Sequence, residues 1–129
     1  MAKDTVILYI EDDLPSTLLV KKILEFAGYR FVHEDSGLAG IKTSEEIQPD
    51  LILLDIDLPD IDGYQVAQRL KTAATTRGIP IVALTSSAMK GDREKALNAG
   101  CDGYIRKPID VSGFTDLIKG YIGNGEQQV

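Results

Sequence analysis

Three short apolar runs constrain the fold of this chain more than any other feature. They are TVILYI at 5–10, DLILLD at 50–55 and IPIVALT at 79–85. Runs with so little polar alternation are typical of strands that are buried on both faces of a parallel sheet. Two mixed segments, RFVHE at 30–34 and DGYIRK at 102–107, fit edge strands. The sequence therefore predicts a parallel sheet of five strands.

Helical patterns separate these strands. They lie around 19–26, at 36–47, around 66–70, at 88–99 and at 110–121. The regular alternation of strand and helix predicts an α/β fold, a doubly wound sheet with helices on both faces.

Two of the predicted helices have further features in the sequence, an apolar face in the first and a glycine in the fourth. Leu19, Ile23 and Phe26 fall on one face of the first helix, which ends at Gly28. In the segment 88–99, Gly91 falls inside the helical pattern. An interior glycine costs a helix about 1 kcal/mol relative to alanine.

Length and charge exclude several classes of protein. The 129 residues suit one domain, and the net charge of -6 argues against nucleic acid as a direct partner. No apolar run approaches the ~20 residues that span a bilayer, and the N-terminal run is too short for a signal peptide. The single cysteine, Cys101, excludes an internal disulfide. These features predict a cytoplasmic protein without a membrane partner.

Polar side chains follow the ends of the predicted strands. Ligands of doubly wound sheets bind beyond the carboxyl ends of the strands. The side chains expected at that edge are Glu11, Asp12 and Asp13, then Asp55 and Asp57, then Thr85, Ser86 and Ser87, and finally Lys107.

This set of side chains points to phosphoryl chemistry. Five acids facing one lysine would repel one another in a partly desolvated pocket, and a divalent cation relieves that repulsion. Carboxylate oxygens with water suit Mg²⁺. With the metal bound, Asp55 is a candidate nucleophile toward phosphorus. Mg²⁺, Lys107 and the Thr85 hydroxyl are then candidates to hold the phosphoryl oxygens.

Four motifs together resemble those of a known family, the response regulator receiver domain of two-component signalling. They are ILYIEDD, LILLDIDLPDIDG, IVALTSSA and GYIRKPI, in receiver order. The spacings, 30 residues from Asp55 to Thr85 and 22 from Thr85 to Lys107, also match. The resemblance covers roughly residues 5–122. The stretch SAMKGDREKALNAGCDGYIRKPI is similar to stand-alone regulators of the chemotaxis and cell-cycle type.

The resemblance implies a flavodoxin-like receiver fold with strand order 2-1-3-4-5, a receiver domain at 1–122 and a short polar tail at 123–129. It also implies roles for the acids. Asp55 resembles the phosphoacceptor, which is the phosphorylation site. Asp12 resembles the direct Mg²⁺ ligand and Glu11 its water-mediated partner, and the main-chain carbonyl of Asp57 would be a further ligand. Many receivers have Met or Asn where this chain has Asp57.

The resemblance implies switch residues as well. Thr85 resembles the switch hydroxyl and Tyr104 the switch aromatic. Lys107 resembles the phosphate-binding lysine, and the Lys107–Pro108 bond is often cis in such domains.

A receiver of this kind implies particular partners. A histidine kinase or a histidine phosphotransfer protein would donate the phosphoryl group, and a downstream protein would bind the face formed by 88–121. Such domains catalyse their own phosphorylation and dephosphorylation and act as switches rather than metabolic enzymes. We expect a monomer and leave a phosphorylation-linked dimer open. Met1 and the short tail favour a stand-alone protein, with a receiver cut from a hybrid kinase or larger regulator as the alternative.

Two other functions share part of the pattern. LILLDIDLP also fits a haloacid-dehalogenase-type phosphatase, but those enzymes place their acidic pair after the lysine, whereas here Glu11 and Asp12 come first. A flavodoxin-like cofactor binder would not explain Lys107 or the acids.

Four neighbouring residues have structural interpretations. We interpret Asp13 as a helix-entry residue, Asp60 and Asp62 as loop and cap residues, and His33 as a surface residue remote from the site.

Overall fold

The computed structural model describes residues 4–86 and 91–126, with side chains described through residue 122. Ser87 and residues 88–90 of the predicted helix 88–99 lie outside the described residues.

Strands and helices alternate along the described chain. The strands are β1 (Val6–Ile10), β2 (Arg30–Glu34), β3 (Leu51–Asp55), β4 (Ile81–Thr85) and β5 (Gly103–Arg106). The helices are α1 (Leu14–Phe26), α2 (Gly37–Ile47), α3 (Gly63–Thr72), α4 (Asp92–Asn98) and α5 (Val111–Glu126). The five strands are parallel and lie in the order β2-β1-β3-β4-β5, which confirms the predicted fold.

Each face of the sheet carries its own apolar cluster. Because side chains alternate along a strand, Leu8 and Ile10 of β1 point toward α2, α3 and α4, while Ile7 and Tyr9 point toward α1 and α5. All residues of β3 and β4 are buried. The central strands therefore have apolar neighbours on both sides, which explains their continuous apolar runs.

The predicted apolar face of α1 is wrong. The helix buries Thr17, Val20 and Leu24 instead, and Phe26 is 96% exposed. Adjacent helical positions are about 100° apart, so packing through Val20 rather than Leu19 rotates the contact face. Of the predicted face, Ile23 is half-buried against the apolar cluster, whereas Leu19 and Phe26 are exposed.

The position of Gly91 also differs from the prediction. Gly91 precedes α4, which begins at Asp92, and has a φ of 96°. Glycine adopts this left-handed conformation without steric cost. The predicted cost of an interior glycine therefore does not apply in the described part of the helix.

The acids of the loops have the structural roles that the sequence suggested. Asp13 accepts a hydrogen bond from the Ser16 N–H at the start of α1, and Asp62 accepts from Tyr64 at the start of α3. The Asp60 carboxylate accepts from the first two N–H groups of α2. A carboxylate at a helix N-terminus satisfies free N–H groups and interacts favourably with the helix dipole.

No helix within residues 4–86 and 91–126 is both long and apolar enough to cross a bilayer.

Gly63 allows α3 to begin directly beside the end of β3. A Cβ atom at this position would lie 2.6 Å from the Ile56 Cα and 2.9 Å from the Asp55 carbonyl oxygen. The obstacle is main chain, so a substitution must displace either the helix or the strand end. We expect Gly63→Ala to lower the free energy of unfolding by about 1–3 kcal/mol, measured by urea denaturation.

Gly120→Ala is the matched control. A Cβ atom at Gly120, inside α5, meets nothing within 4 Å. This variant should gain about 0.5–1 kcal/mol from the higher helix propensity of alanine. Equal stability of the Gly63→Ala variant and the unmutated protein would contradict the close packing at this position.

Candidate functional site

The predicted polar residues meet at the carboxyl edge of the sheet. Asp55 ends β3 and Thr85 ends β4, while Glu11 follows β1 and Lys107 follows β5. Hydrogen-bonded neighbours in the sheet are β1 with β3, β3 with β4, and β4 with β5. The strand order therefore brings together residues that lie up to 96 positions apart in the chain.

Three acids form the centre of the site. Ligand oxygens of Glu11, Asp12 and Asp55 lie within 4.8 Å of one another. Glu11 and Asp55 are only 1% and 3% exposed, whereas Asp12 faces solvent. The Asp57 side chain is exposed and is not part of this group, but its main-chain N–H donates to Asp55 Oδ1 at 3.2 Å.

Lys107 supplies the positive charge beside these acids. Its Nζ forms a close ion pair with Glu11 Oε1 and lies 3.7 Å from Asp55 Oδ1. The main-chain N–H of Lys107 donates to the main-chain carbonyl of Thr85 at 2.8 Å, which holds the lysine at the end of β4. The Lys107–Pro108 bond is cis, as the resemblance implies.

Burial of the acids changes their protonation. Desolvation raises the pKa of Asp55 to about 7, and the hydrogen bond and negative charge of Glu11 act in the same direction. Burial alone would also raise the pKa of Glu11, but hydrogen bonds with Asp55, Lys107 and Tyr9 lower it below the usual range. In the absence of a cation, protonation is therefore favoured at Asp55 rather than at Glu11.

Thr85 and Tyr104 lie on the same face of the sheet. Tyr104 pairs with Ala83 on β4, and Thr85 follows Ala83 by two positions. Thr85 is 2% exposed, and the half-buried Tyr104 packs against the cluster under α2, α3 and α4. The predicted switch pair therefore occupies adjacent strands and one side of the sheet.

Two residues near the site were missed or misinterpreted from the sequence. His33 is half-buried, and its Nε2 lies 2.7 Å from the Glu11 carbonyl oxygen, so its assignment as a remote surface residue is wrong. The Tyr9 hydroxyl donates to Glu11 Oε1 at 2.9 Å. The sequence contained one indication of the Tyr9 contact. Tyr9 lies two positions before Glu11, and residues two apart along a strand point to the same face.

The donor set fits a small divalent cation. Three carboxyl groups offer hard oxygen atoms, and Asp12 provides access from solvent. Mg²⁺ prefers such ligands and keeps several waters, so few protein ligands suffice. Burial, together with the hydrogen bond and charge of Glu11, raises the pKa of Asp55, and a bound cation would favour its ionised form.

The family model for the response regulator receiver domain matches residues 7–119. Its match covers most of the described chain, including every strand end at the site. The chain therefore belongs to the response regulator receiver domain family of two-component signalling, rather than to the haloacid-dehalogenase-type phosphatases.

Individual relatives agree with this assignment. The polar-differentiation response regulator DivK of Brucella ovis is 40% identical over 118 residues, which span 92% of this chain and 96% of that protein. A CheY-like receiver domain protein from Methanospirillum hungatei superposes with a TM-score of 0.90 at 28% identity, covering 98% of this chain and 100% of that one.

A third relative has a metal in its structure. The receiver domain of a sensor histidine kinase from Pseudomonas aeruginosa is 31% identical, with a TM-score of 0.86 over 94% of this chain and 99% of that one. Its structure has a magnesium ion coordinated in the active site cleft.

The raised pKa of Asp55 predicts a specific pH dependence of stability. In the unfolded chain Asp55 ionises near pH 3.9, whereas in the folded protein it ionises near pH 7. Between these values the folded state holds a proton that the unfolded state has lost, so this residue reduces stability as the pH rises toward 7.

Asp55→Asn removes this contribution. In EDTA, we subtract the thermal midpoint of the unmutated protein from that of the variant. This difference should be larger at pH 8 than at pH 5, by on the order of 5 °C. A difference that is constant over this pH range would show that Asp55 is already ionised in the folded protein at pH 5.

Proposed function

We propose that this chain is a phosphoacceptor switch in which Asp55 receives a phosphoryl group from a phosphohistidine. The observation that carries the proposal is the buried Asp55 carboxyl at the end of β3, with Lys107 Nζ 3.7 Å away and two further acids in the same cluster. A buried carboxyl beside a cation, at the edge where doubly wound sheets bind ligands, suits attack on phosphorus.

The transfer needs few groups from the protein. A carboxylate oxygen of Asp55 forms a bond to phosphorus while the bond from phosphorus to the donor imidazole nitrogen breaks, and the imidazole leaves with the electron pair of that bond. Lys107 and the Thr85 hydroxyl would hold the phosphoryl oxygens, where negative charge is concentrated.

Glu11, Asp12 and Asp55 would hold Mg²⁺, with the main-chain carbonyl of Asp57 as a further ligand. The bound ion supplies positive charge that offsets repulsion between the carboxylates and the incoming phosphoryl group.

The family as a whole interacts with histidine kinases or phosphotransfer proteins and with downstream targets. For this chain we propose a donor of that class acting on the receiver domain at 1–122. The downstream protein would bind the face within 88–121 that includes α4, β5 and part of α5. A cytoplasmic location and the absence of nucleic-acid binding belong to the same proposal and rest on the sequence.

The first test concerns the phosphorylated residue. Phosphoramidate with Mg²⁺ should add one phosphoryl group to the unmutated protein, measured by intact mass. Asp55→Asn should abolish the addition, because an amide is a poor nucleophile. Asp62→Asn makes the same chemical change at a helix cap and should label normally. Full labelling of the Asp55→Asn variant would refute the assignment.

The second test concerns the metal. A cation that binds only the folded state stabilises it by mass action, which amounts to about 1.4 kcal/mol at ten times the dissociation constant. Millimolar Mg²⁺ should therefore raise the thermal midpoint by a few degrees. Asp12→Ala should remove most of this increase, whereas Asp116→Ala, on the exposed surface of α5, should retain it. An equal increase in both variants would exclude Asp12 as a ligand.

The third test concerns transmission of the signal. A phosphoryl group on Asp55 offers charged acceptors to a nearby hydroxyl, and inward movement of the Thr85 hydroxyl would free space for Tyr104. Beryllofluoride with Mg²⁺ should change amide shifts mainly in α4, β5, α5 and the loops of the site. Thr85→Ala should still accept phosphate but lose most of the changes on that face. Changes centred on α1 and β2, or unaltered in the variant, would contradict this route.

A further inference from the structure

Tyr9 connects the apolar layer under α1 and α5 to the acid cluster. It is fully buried on the interior strand β1, two positions before Glu11, which directly follows that strand. Residues two apart on a strand point to the same face, so the phenol ring extends toward the Glu11 side chain. The hydroxyl donates to Glu11 Oε1 at 2.9 Å, and both residues are buried at this contact.

The hydroxyl is not explained by packing. The ring lies among apolar side chains, and its centroid is 6.2 Å from that of Phe31. Phenylalanine would fill the same space without placing a polar group in the core, where an unsatisfied hydroxyl is costly. Burial raises the pKa of Tyr9 above its usual range, so the hydroxyl keeps its proton and remains a donor.

Three groups donate hydrogen bonds to the Glu11 carboxylate. Its Oε1 accepts from the Tyr9 hydroxyl and from Lys107 Nζ, and its Oε2 accepts from the Asp13 N–H at 3.3 Å. The Tyr9 contact differs from the lysine contact in one respect. Lys107 lies beside Asp55 as well and is the proposed ligand of the phosphoryl group, whereas the tyrosine is fixed in the core. Tyr9 would therefore remain a donor to Glu11 if the lysine turned to a phosphoryl group.

We propose that Tyr9 is a positioning residue for metal binding, whose hydroxyl holds the Glu11 carboxylate in the orientation that places it with Asp12 and Asp55. The inference rests on the proposed function, since it assumes that these acids bind Mg²⁺. Glutamate has three rotatable side-chain bonds, and without the hydroxyl the carboxylate would follow Lys107. Ordering it again would weaken metal affinity, as loss of groups that orient metal ligands generally does.

The test is a double-mutant cycle on Mg²⁺ affinity. The dissociation constant is measured by amide-shift titration for the unmutated protein, Tyr9→Phe, Glu11→Ala and the double variant. Tyr9→Phe should raise the constant by about tenfold, the lower end of the effect that is typical for groups that orient metal ligands. If the hydroxyl acts through Glu11, the same change in the Glu11→Ala background, which has no side-chain acceptor, should alter the constant by less than about twofold. A general loosening of the fold would instead weaken binding equally in both backgrounds.

Tyr121→Phe is the matched control. Tyr121 packs against the same apolar layer from α5, and its hydroxyl lies beside Gly103 at the start of β5, the end opposite the acids. This change should therefore leave the dissociation constant unchanged. Far-ultraviolet circular dichroism in EDTA checks that every variant is folded.

The outcomes separate this inference from the proposed function. An unchanged constant in Tyr9→Phe, or an equal increase in both backgrounds, would overturn the role of Tyr9 and leave the phosphoacceptor proposal intact. Absence of saturable Mg²⁺ binding by the unmutated protein would overturn both.

Discussion

The site depends on the burial of two carboxyl groups, Glu11 and Asp55, beside one lysine. Burial and mutual repulsion raise the pKa of Asp55 to about 7, so the folded protein holds a proton or a cation there to limit the repulsion. A single Lys107 cannot neutralise both carboxylates, although it contacts Glu11 and lies 3.7 Å from Asp55. The folded chain thus places two mutually repelling carboxyl groups at the edge of the sheet where ligands of such folds bind.

The rest of the fold maintains this arrangement. The strand order brings the ends of β1, β3, β4 and β5 to one edge, and apolar clusters on both faces hold the strands in register. Gly63 lets α3 begin against the chain at Asp55, so the loop after β3 stays close to the acids. Tyr9 and His33 hold the side chain and the carbonyl of Glu11. The strand order and apolar packing that stabilise the sheet therefore also determine the geometry of the site.

The sequence predicted most of the fold and the meeting of Glu11, Asp12, Asp55 and Lys107 at the carboxyl edge of the sheet, because both follow from strong patterns. Continuous apolar runs identify buried strands, and acids directly after them identify the functional edge. The contact face of α1 was not predictable, because Leu19 and Phe26 are as apolar as the residues that the sheet covers. The contact of His33 with the Glu11 carbonyl depends on the pairing of β1 with β2, which no local pattern specifies. Gly91 shows the same limit, since its left-handed φ is a property of the fold.

The most direct test of the electrostatic account is a carbon-13 titration of the Asp55 carboxyl, followed by nuclear magnetic resonance with and without Mg²⁺. In EDTA the carboxyl should titrate near pH 7, and saturating Mg²⁺ should lower its pKa by several units because the cation favours the ionised form. The titration of Glu11 in the same spectra would show whether the two groups exchange one proton. A pKa near 4 for Asp55 in the metal-free protein would contradict the account.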